Sequence, residues 1–196
     1  MDLVEAVRRR RTIRTYDPDR PLDPQLRDTI LQTALRTPSA GHTQAVRLTC
    51  LTGPARERYW QLTAGDGPPD RWVRGMQAAP ALVLVGTSER AYRDRYAEPD
   101  KGWAHDSDRW SAPYWWVDAG MVVQTLLLTA TAYGVDSAFV GVPRPAQSAV
   151  SEAFGLPRDE ELVGLVTLGH RPAEHRPRPP RRARLPFADR IRHVDR

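Results

Sequence analysis

At 196 residues, 40% of them hydrophobic and 27% charged, the chain has the composition of one globular domain long enough to bury a core without covalent staples. Its lone cysteine, Cys50, excludes an internal disulfide and a cysteine-based zinc cluster. The formal charge of +5 rests almost wholly on arginine, since Lys101 is the only lysine, and the planar donor fork of arginine suits phosphate and carboxylate, although a compositional bias would leave the same record.

The first predicted element is an amphipathic helix from Asp2 to Arg9, with Leu3, Val4, Ala6 and Val7 as its apolar stripe. It runs into a basic turn, Arg10-Arg11-Thr12-Ile13-Arg14, which taken alone is either a solvated helix end or a seat for a dianion. After a proline-punctuated loop, Asp23 reads as an N-cap with Pro24 at the first helical position. Leu26, Ile30, Leu31, Ala34 and Leu35 continue that helix to Pro38. The polar, turn-rich stretch Ser39 to Gln44 then leads into a strand over Val46–Thr52, in which Cys50 reads as an inert thiol.

Pro54 opens a short helix through Trp60 and Leu62, and after the Gly65–Pro69 break a second spans Asp70 to Ala78. Ala81 to Gly86 is continuously apolar, as expected of a strand buried on both faces at the sheet centre. Ser88 to Ala112 shows no period and carries Tyr92, Tyr96, Trp103 and Trp110, which suggests a lid, a binding loop or a partner-contact arm. Trp115 to Tyr133 is a helix apolar on most sides, to be buried centrally or at a subunit interface. Gly134 ends it, and strands are predicted over 138–142 and 161–168, with a helix from Pro145 to Phe154 closed by Gly155 between them. The Arg/Pro-rich remainder after Gly169 cannot form a core of its own.

Several chemistries are poorly served. There is no Walker sequence, and Gly65-Asp66-Gly67 lacks the third glycine and the strand-to-helix setting of a dinucleotide fingerprint, so any phosphate site falls to arginine side chains. The five histidines are scattered without metal-ligand spacing, and no Gly-x-Ser-x-Gly elbow presents a nucleophile. The arginine tail has no aromatic interleaving and joins no nucleic-acid-binding module. The most apolar segment, 119–135, contains Gln124 and several threonines and is short for a bilayer span; a cytoplasmic protein without nucleic-acid or membrane partners is expected.

The order of the pieces is more telling than any one of them. Arg10-Arg11-Thr12-x-Arg14-x-Tyr16, Leu22-x-Pro24 and Pro38-Ser39-x-x-His42-x-Gln44 open the chain. Gly134 to Gly141, Phe154-Gly155-Leu156-Pro157, Leu165 to Gly169 and Arg182-Ala183-Arg184-Leu185-Pro186 follow. This succession resembles the FMN-dependent nitroreductase family over nearly the whole chain. The resemblance implies an α+β fold with a mixed sheet flanked by helices, assembled as an intertwined homodimer with FMN sites at the interface. Residues 1–169 would form the FMN-binding domain, 88–112 an aromatic lid or insert, and 170–196 an extension reaching the FMN site and the second subunit.

Residue by residue, the resemblance implies that Arg10, Arg11, Thr12 and Arg14, joined by Arg182 and Arg184, hold the FMN phosphate and ribityl chain. Pro38, Ser39, His42 and Gln44 would line the flavin ring from the other subunit, and the backbone of Val140 and Gly141 would lie at flavin N5. No catalytic side chain is implied, and NADH or NADPH would be the electron donor in a ping-pong exchange with an electron-poor acceptor. Trp103, Trp110, Tyr114 and Trp115 would either wall the pocket or simply pack. His42 stands where the family usually has asparagine, Ala45-Val46 replace Pro-Trp, and no glutamate precedes Gly141. These departures leave open a dehydrogenase or oxidase of a biosynthetic intermediate, and a flavin-binding regulator without turnover.

Overall fold

Strand β2, Ala81–Thr87, is buried along all seven residues and divides the protein into two cores. Successive side chains of a strand point to opposite faces. Leu82 and Leu84 therefore pack with Tyr59, Met76 and Val150, whereas Ala81, Val83 and Val85 pack with Ile30, Val122 and Leu126. A computed structural model describes residues 1–65, 68–176 and 182–194; Asp66 and Gly67 of the predicted break and residues 177–181 of the predicted tail lie outside them.

Four strands, β1 (Arg47–Leu51), β2, β3 (Asp136–Val140) and β4 (Glu161–Gly169), pair in the order β1-β2-β4-β3, each antiparallel to its neighbour. A parallel bridge between Thr12 and Ser137 extends the β3 edge and gives the sheet its one parallel pairing among the described residues. Around the sheet lie α1 (Leu3–Arg9), α2 (Pro24–Ala34), α3 (Pro54–Thr63), α4 (Arg71–Gln77), α5 (Glu89–Ala97), α6 (Tyr114–Ala132) and α7 (Gln147–Ala153). Helices on both faces of a largely antiparallel sheet make this the expected α+β architecture.

The chain's punctuation works as written in the sequence. Asp23 accepts from Gln25 N at 3.1 Å with Pro24 behind it, and Gly134 and Gly155 adopt φ of +73° and +64° after their helices. Helix α6 buries Ala119, Val122, Val123, Leu126 and Leu127, yet Trp116, Val117 and Met121 remain exposed. On α1, which rests on α6, Leu3, Val4 and Val7 are exposed by 53–68%.

Three differences from expectation have a visible physical cause. Helix α2 stops at Ala34, four residues before Pro38, because Leu35, Arg36 and Thr37 close into a turn through Thr37 Oγ1 donating to Ala34 O at 2.7 Å. Strand β3 begins two residues before the predicted Ala138, at Asp136, whose carboxylate fastens the Arg171 guanidinium at 2.6 Å. The first part of the 88–112 insert is regular: Ser88 caps α5, accepting from Ala91 N at 3.1 Å. Five charged side chains in Glu89–Ala97 mask its inward pair, Tyr92 and Tyr96 at i, i+4.

Tyr16 pins the segment after α1 to the sheet. Its phenol is fully inside, hydrogen-bonded to Ile13 O at 2.8 Å and to Thr167 Oγ1 at 2.7 Å, and burial pushes its pKa well above the ordinary value. Tyr16→Phe leaves Ile13 O and the Thr167 hydroxyl short of a partner and is expected to remove about 1–3 kcal/mol of stability. Urea denaturation measures this directly, and an unchanged midpoint would refute the anchoring role.

Candidate functional site

The basic turn is built by the end of α1 and the edge of β3. Asp2 caps α1 by accepting from Glu5 N at 2.8 Å, and at Arg10 the backbone leaves the helix for φ −52°, ψ 126°. Thr12 then bridges Ser137, and Ile13 N donates to Ser137 O at 3.0 Å. Alternation along an extended chain sends Ile13 into the core and sets Arg10, Thr12 and Arg14 in a row on the opposite side. Neither Arg10 nor Arg14 forms an ion pair among the described residues. Helix α4 presses on this row so closely that a Cβ on Gly75 would come 2.2 Å from Arg14 O. Arg11 departs from the row: its guanidinium turns back to Arg8 O at 2.6 Å and Arg10 O at 3.0 Å.

At the far end of β3, Val140 and Gly141 line a cavity of about 300 Å³ walled by Tyr59, Trp60, Trp72 and Met76. Strand β4 approaches here because residue 164 is glycine; a Cβ would meet the Phe139 ring at 2.5 Å and Val140 O at 2.8 Å. Burial raises the Tyr59 phenol to about 12, so it is neutral at physiological pH, and Trp60 Nε1 is buried without a hydrogen-bond partner among the described residues. The wall is aromatic.

Pro38, Ser39 and Gln44 line a different, smaller cavity of about 150 Å³, which shares no residue with the one at Val140. Between them the backbone is strained: Gly41, His42 and Gln44 have φ of +63°, +55° and +54°. Left-handed conformations at residues with a side chain persist only where the surroundings enforce them. Ala40 N donates to Asp118 Oδ2 at 2.7 Å, Gln44 N to Ser39 Oγ at 2.9 Å, and Arg95 Nε to Gly41 O at 2.9 Å. Asp118 lies within α6 and also accepts from the Tyr92 hydroxyl at 2.5 Å.

The family model of the nitroreductase family matches residues 7–170. The chain belongs to the nitroreductase family. Among curated relatives, the protein DrgA of Synechocystis is 26% identical over 193 residues, covering 87% of this chain and 85% of its own. Among solved structures, nitroreductase CinD of Lactococcus lactis, in complex with nicotinic acid, superposes with a TM-score of 0.80 at 19% identity, covering 99% of this chain and all of the other. A protein from Exiguobacterium sibiricum, described as a nitroreductase in complex with FMN, gives a TM-score of 0.77 at 22% identity, with 99% and 98% covered.

For this nitroreductase-family chain, the predicted site residues fall into three groups. Thr12 pairs with Ser137 near the start of β3, and none of Arg10, Thr12 and Arg14 lines the cavity of Val140 and Gly141 at its end, whereas Pro38, Ser39 and Gln44 line their own cavity and His42 is an exposed residue of the same turn. Arg182 and Arg184 are exposed, and neither lines the cavity at Val140. Trp103, Trp110, Tyr114 and Trp115 line it no more than they do; they cluster against Tyr92 and Tyr96, with Tyr96 and Trp110 centroids 4.6 Å apart. The sequence does not single out as site residues Trp60 and Trp72, which wall the cavity, or Asp118 and Arg95, which with Tyr92 of the aromatic insert hold the 39–44 turn. Asp118 had a signal: it is the one charged residue in the otherwise uncharged α6. Among the described residues no helix is long and apolar enough to cross a membrane, and no cluster of side chains could hold a metal ion.

Proposed function

We propose that this chain is an FMN-dependent oxidoreductase that takes reducing equivalents from NADH or NADPH and delivers them to a small electron-poor acceptor of nitroaromatic or quinone type. The observation that carries the reading is the row of Arg10, Thr12 and Arg14, without carboxylate partners among the described residues, set beside the strand that ends at the aromatic-walled cavity of Val140 and Gly141. A dianionic phosphate suits the row because guanidinium forks form charge-assisted bonds to its oxygens and Thr12 adds a hydroxyl donor. The same strand would place the backbone of Val140 and Gly141 beside flavin N5, with Trp60, Trp72 and Met76 excluding water. When bound, FMN supplies the capacity to accept and release a hydride; the protein supplies orientation, a dry wall and positive charge.

The reading includes a homodimer in which Pro38, Ser39, His42 and Gln44 of one subunit line the flavin ring held by the other, with Arg182 and Arg184 joining the phosphate site. Two features support it. The two halves of the site occupy separate cavities within one chain, and the exposed apolar residues of α1 and α6 form a surface suited to a second copy. The tail points the same way, with Leu185, Phe187, Ile191 and Val194 exposed by 55–73%.

Purified protein should carry or take up FMN, and anaerobic NADH or NADPH should bleach its absorbance near the flavin maximum, with an electron-poor acceptor restoring it. A chain that cannot be reconstituted with FMN would overturn the whole reading. Bleaching by neither nucleotide would remove the donor assignment and point to a substrate dehydrogenase, or to a regulator if no reductant works.

A further inference from the structure

A third cavity, of about 480 Å³, opens at the other end of β3 and is lined by Arg11, Arg20, Arg176, His170 and Ser137, but by none of Arg10, Thr12 and Arg14. Its charge is lopsided. Arg9 and Arg171 also line it, yet Arg9 is paired with Glu5, and Arg171 with Asp136, the only carboxylate residue among the described residues of the lining. The other three guanidinium groups have no acidic partner among the described residues. Among the described residues Arg11 and Arg176 donate only to backbone carbonyls, at 2.6 Å to Arg8 O and Ala173 O respectively.

Two further observations mark the place as more than a basic surface. Ser137 is 98% buried, and its hydroxyl has no hydrogen-bond partner among the described residues, an unusual state for a buried polar group. His170 is held below its ordinary pKa, first by burial and then by the Arg20 cation, with Asp136 and Asp17 opposing; positive charge therefore reaches into the lining. Like charges gathered around a concavity repel one another, and a bound anion relieves that repulsion while accepting forked bonds. The volume is within the range of small-molecule sites, about 300–1,000 Å³.

We propose that this cavity is a second anion site, separate from the Arg10–Arg14 row, that takes the pyrophosphate or multiply phosphorylated end of a small molecule. Arg11 belongs to this site by position. Its other two cations come from the loop before α2 and from the segment after β4, so a single ligand would tie three distant parts of the chain together.

The probe is inorganic pyrophosphate, titrated calorimetrically at low salt into the full chain saturated with FMN, so that a flavin-phosphate seat is already filled. One pyrophosphate per chain is expected to bind. The exposed pair Arg20→Ser/Arg176→Ser should weaken it by about tenfold or more, the loss expected from removing charge-assisted bonds. Arg36→Ser/Arg58→Ser, which removes equal charge from exposed positions outside the lining, should change it less than about twofold, as a screened surface effect would. Absence of saturable binding, or equal weakening in both pairs, overturns the proposal. Should the chain bind no FMN, the same titrations on the chain as purified read this cavity independently of the flavin assignment.

Discussion

In the Arg10→Ala/Arg14→Ala variant, FMN affinity is expected to fall by roughly two to four orders of magnitude. Each charge-assisted bond to a phosphate is worth about 1.5–3 kcal/mol, and each 1.4 kcal/mol is tenfold in affinity. The loss should be confined to binding, because the backbone of this segment is held by other groups. Thr12 bridges Ser137, Ile13 is buried, Tyr16 reaches Thr167, and Gly75 O accepts from Tyr16 N at 3.3 Å. Arg14 is exposed, so its truncation opens no cavity. Fluorescence titration of the flavin-free protein measures the affinity, and an unaltered thermal transition confirms that the fold survives. Lysine at both positions should recover part of the loss, since it restores the charge without the planar fork. Undiminished affinity in the alanine pair would show that the phosphate sits elsewhere.

Much of this site could be read locally because its chemistry is local. Arg10, Thr12 and Arg14 alternate on one extended segment, and the Asp23-Pro24 cap and the αL glycines 134 and 155 mark helix ends by their own conformational needs. The apolar run of β2 likewise announces burial on both faces. What escaped depends on partners remote in sequence. Arg11 sits among its neighbours in the sequence, but its guanidinium turns back to Arg8 O and Arg10 O and lines the cavity at the start of β3. The onset of β3 was placed late because Asp136 and Ser137 look like turn residues, although one binds Arg171 and the other is buried beside Thr12. Helix α5 was hidden by its charged face, and the aromatic residues beyond it proved to pack against that helix. Most remote of all is the support of the 39–44 turn, which comes from residues 92, 95 and 118.

That support carries the second large expected effect. Asp118→Ala should destabilise the protein by about 3 kcal/mol, since a half-buried donor, Ala40 N, and a buried one, the Tyr92 hydroxyl, lose one shared acceptor and each unsatisfied group costs about 1–3 kcal/mol. For a chain of this length that corresponds to a fall of roughly 6–12 °C in the melting temperature. Burial, and then the bond to Asp118, hold the Tyr92 phenol well above its ordinary pKa, so it remains a donor throughout the neutral range. Asp118→Asn keeps one carbonyl acceptor and should lose less.

Stability alone would not separate a brace from any other core residue, and Leu126→Ala provides the comparison. Leu126 lies fully buried in the same helix and makes none of the turn's hydrogen bonds, and its truncation is expected to cost about 2–5 kcal/mol through a cavity. Amide exchange in a peptide covering residues 39–46 should rise in Asp118→Ala and stay near wild type in Leu126→Ala at matched stability. The left-handed conformations of His42 and Gln44 store strain that relaxes once Ala40 is released. If both variants open the turn equally, Asp118 acts on global stability and Arg95 with Ser39 suffices to hold the turn. If only Asp118→Ala opens it, a carboxylate buried in α6 sets the shape of the surface that carries Ser39, His42 and Gln44, the residues proposed to meet the flavin of the second subunit.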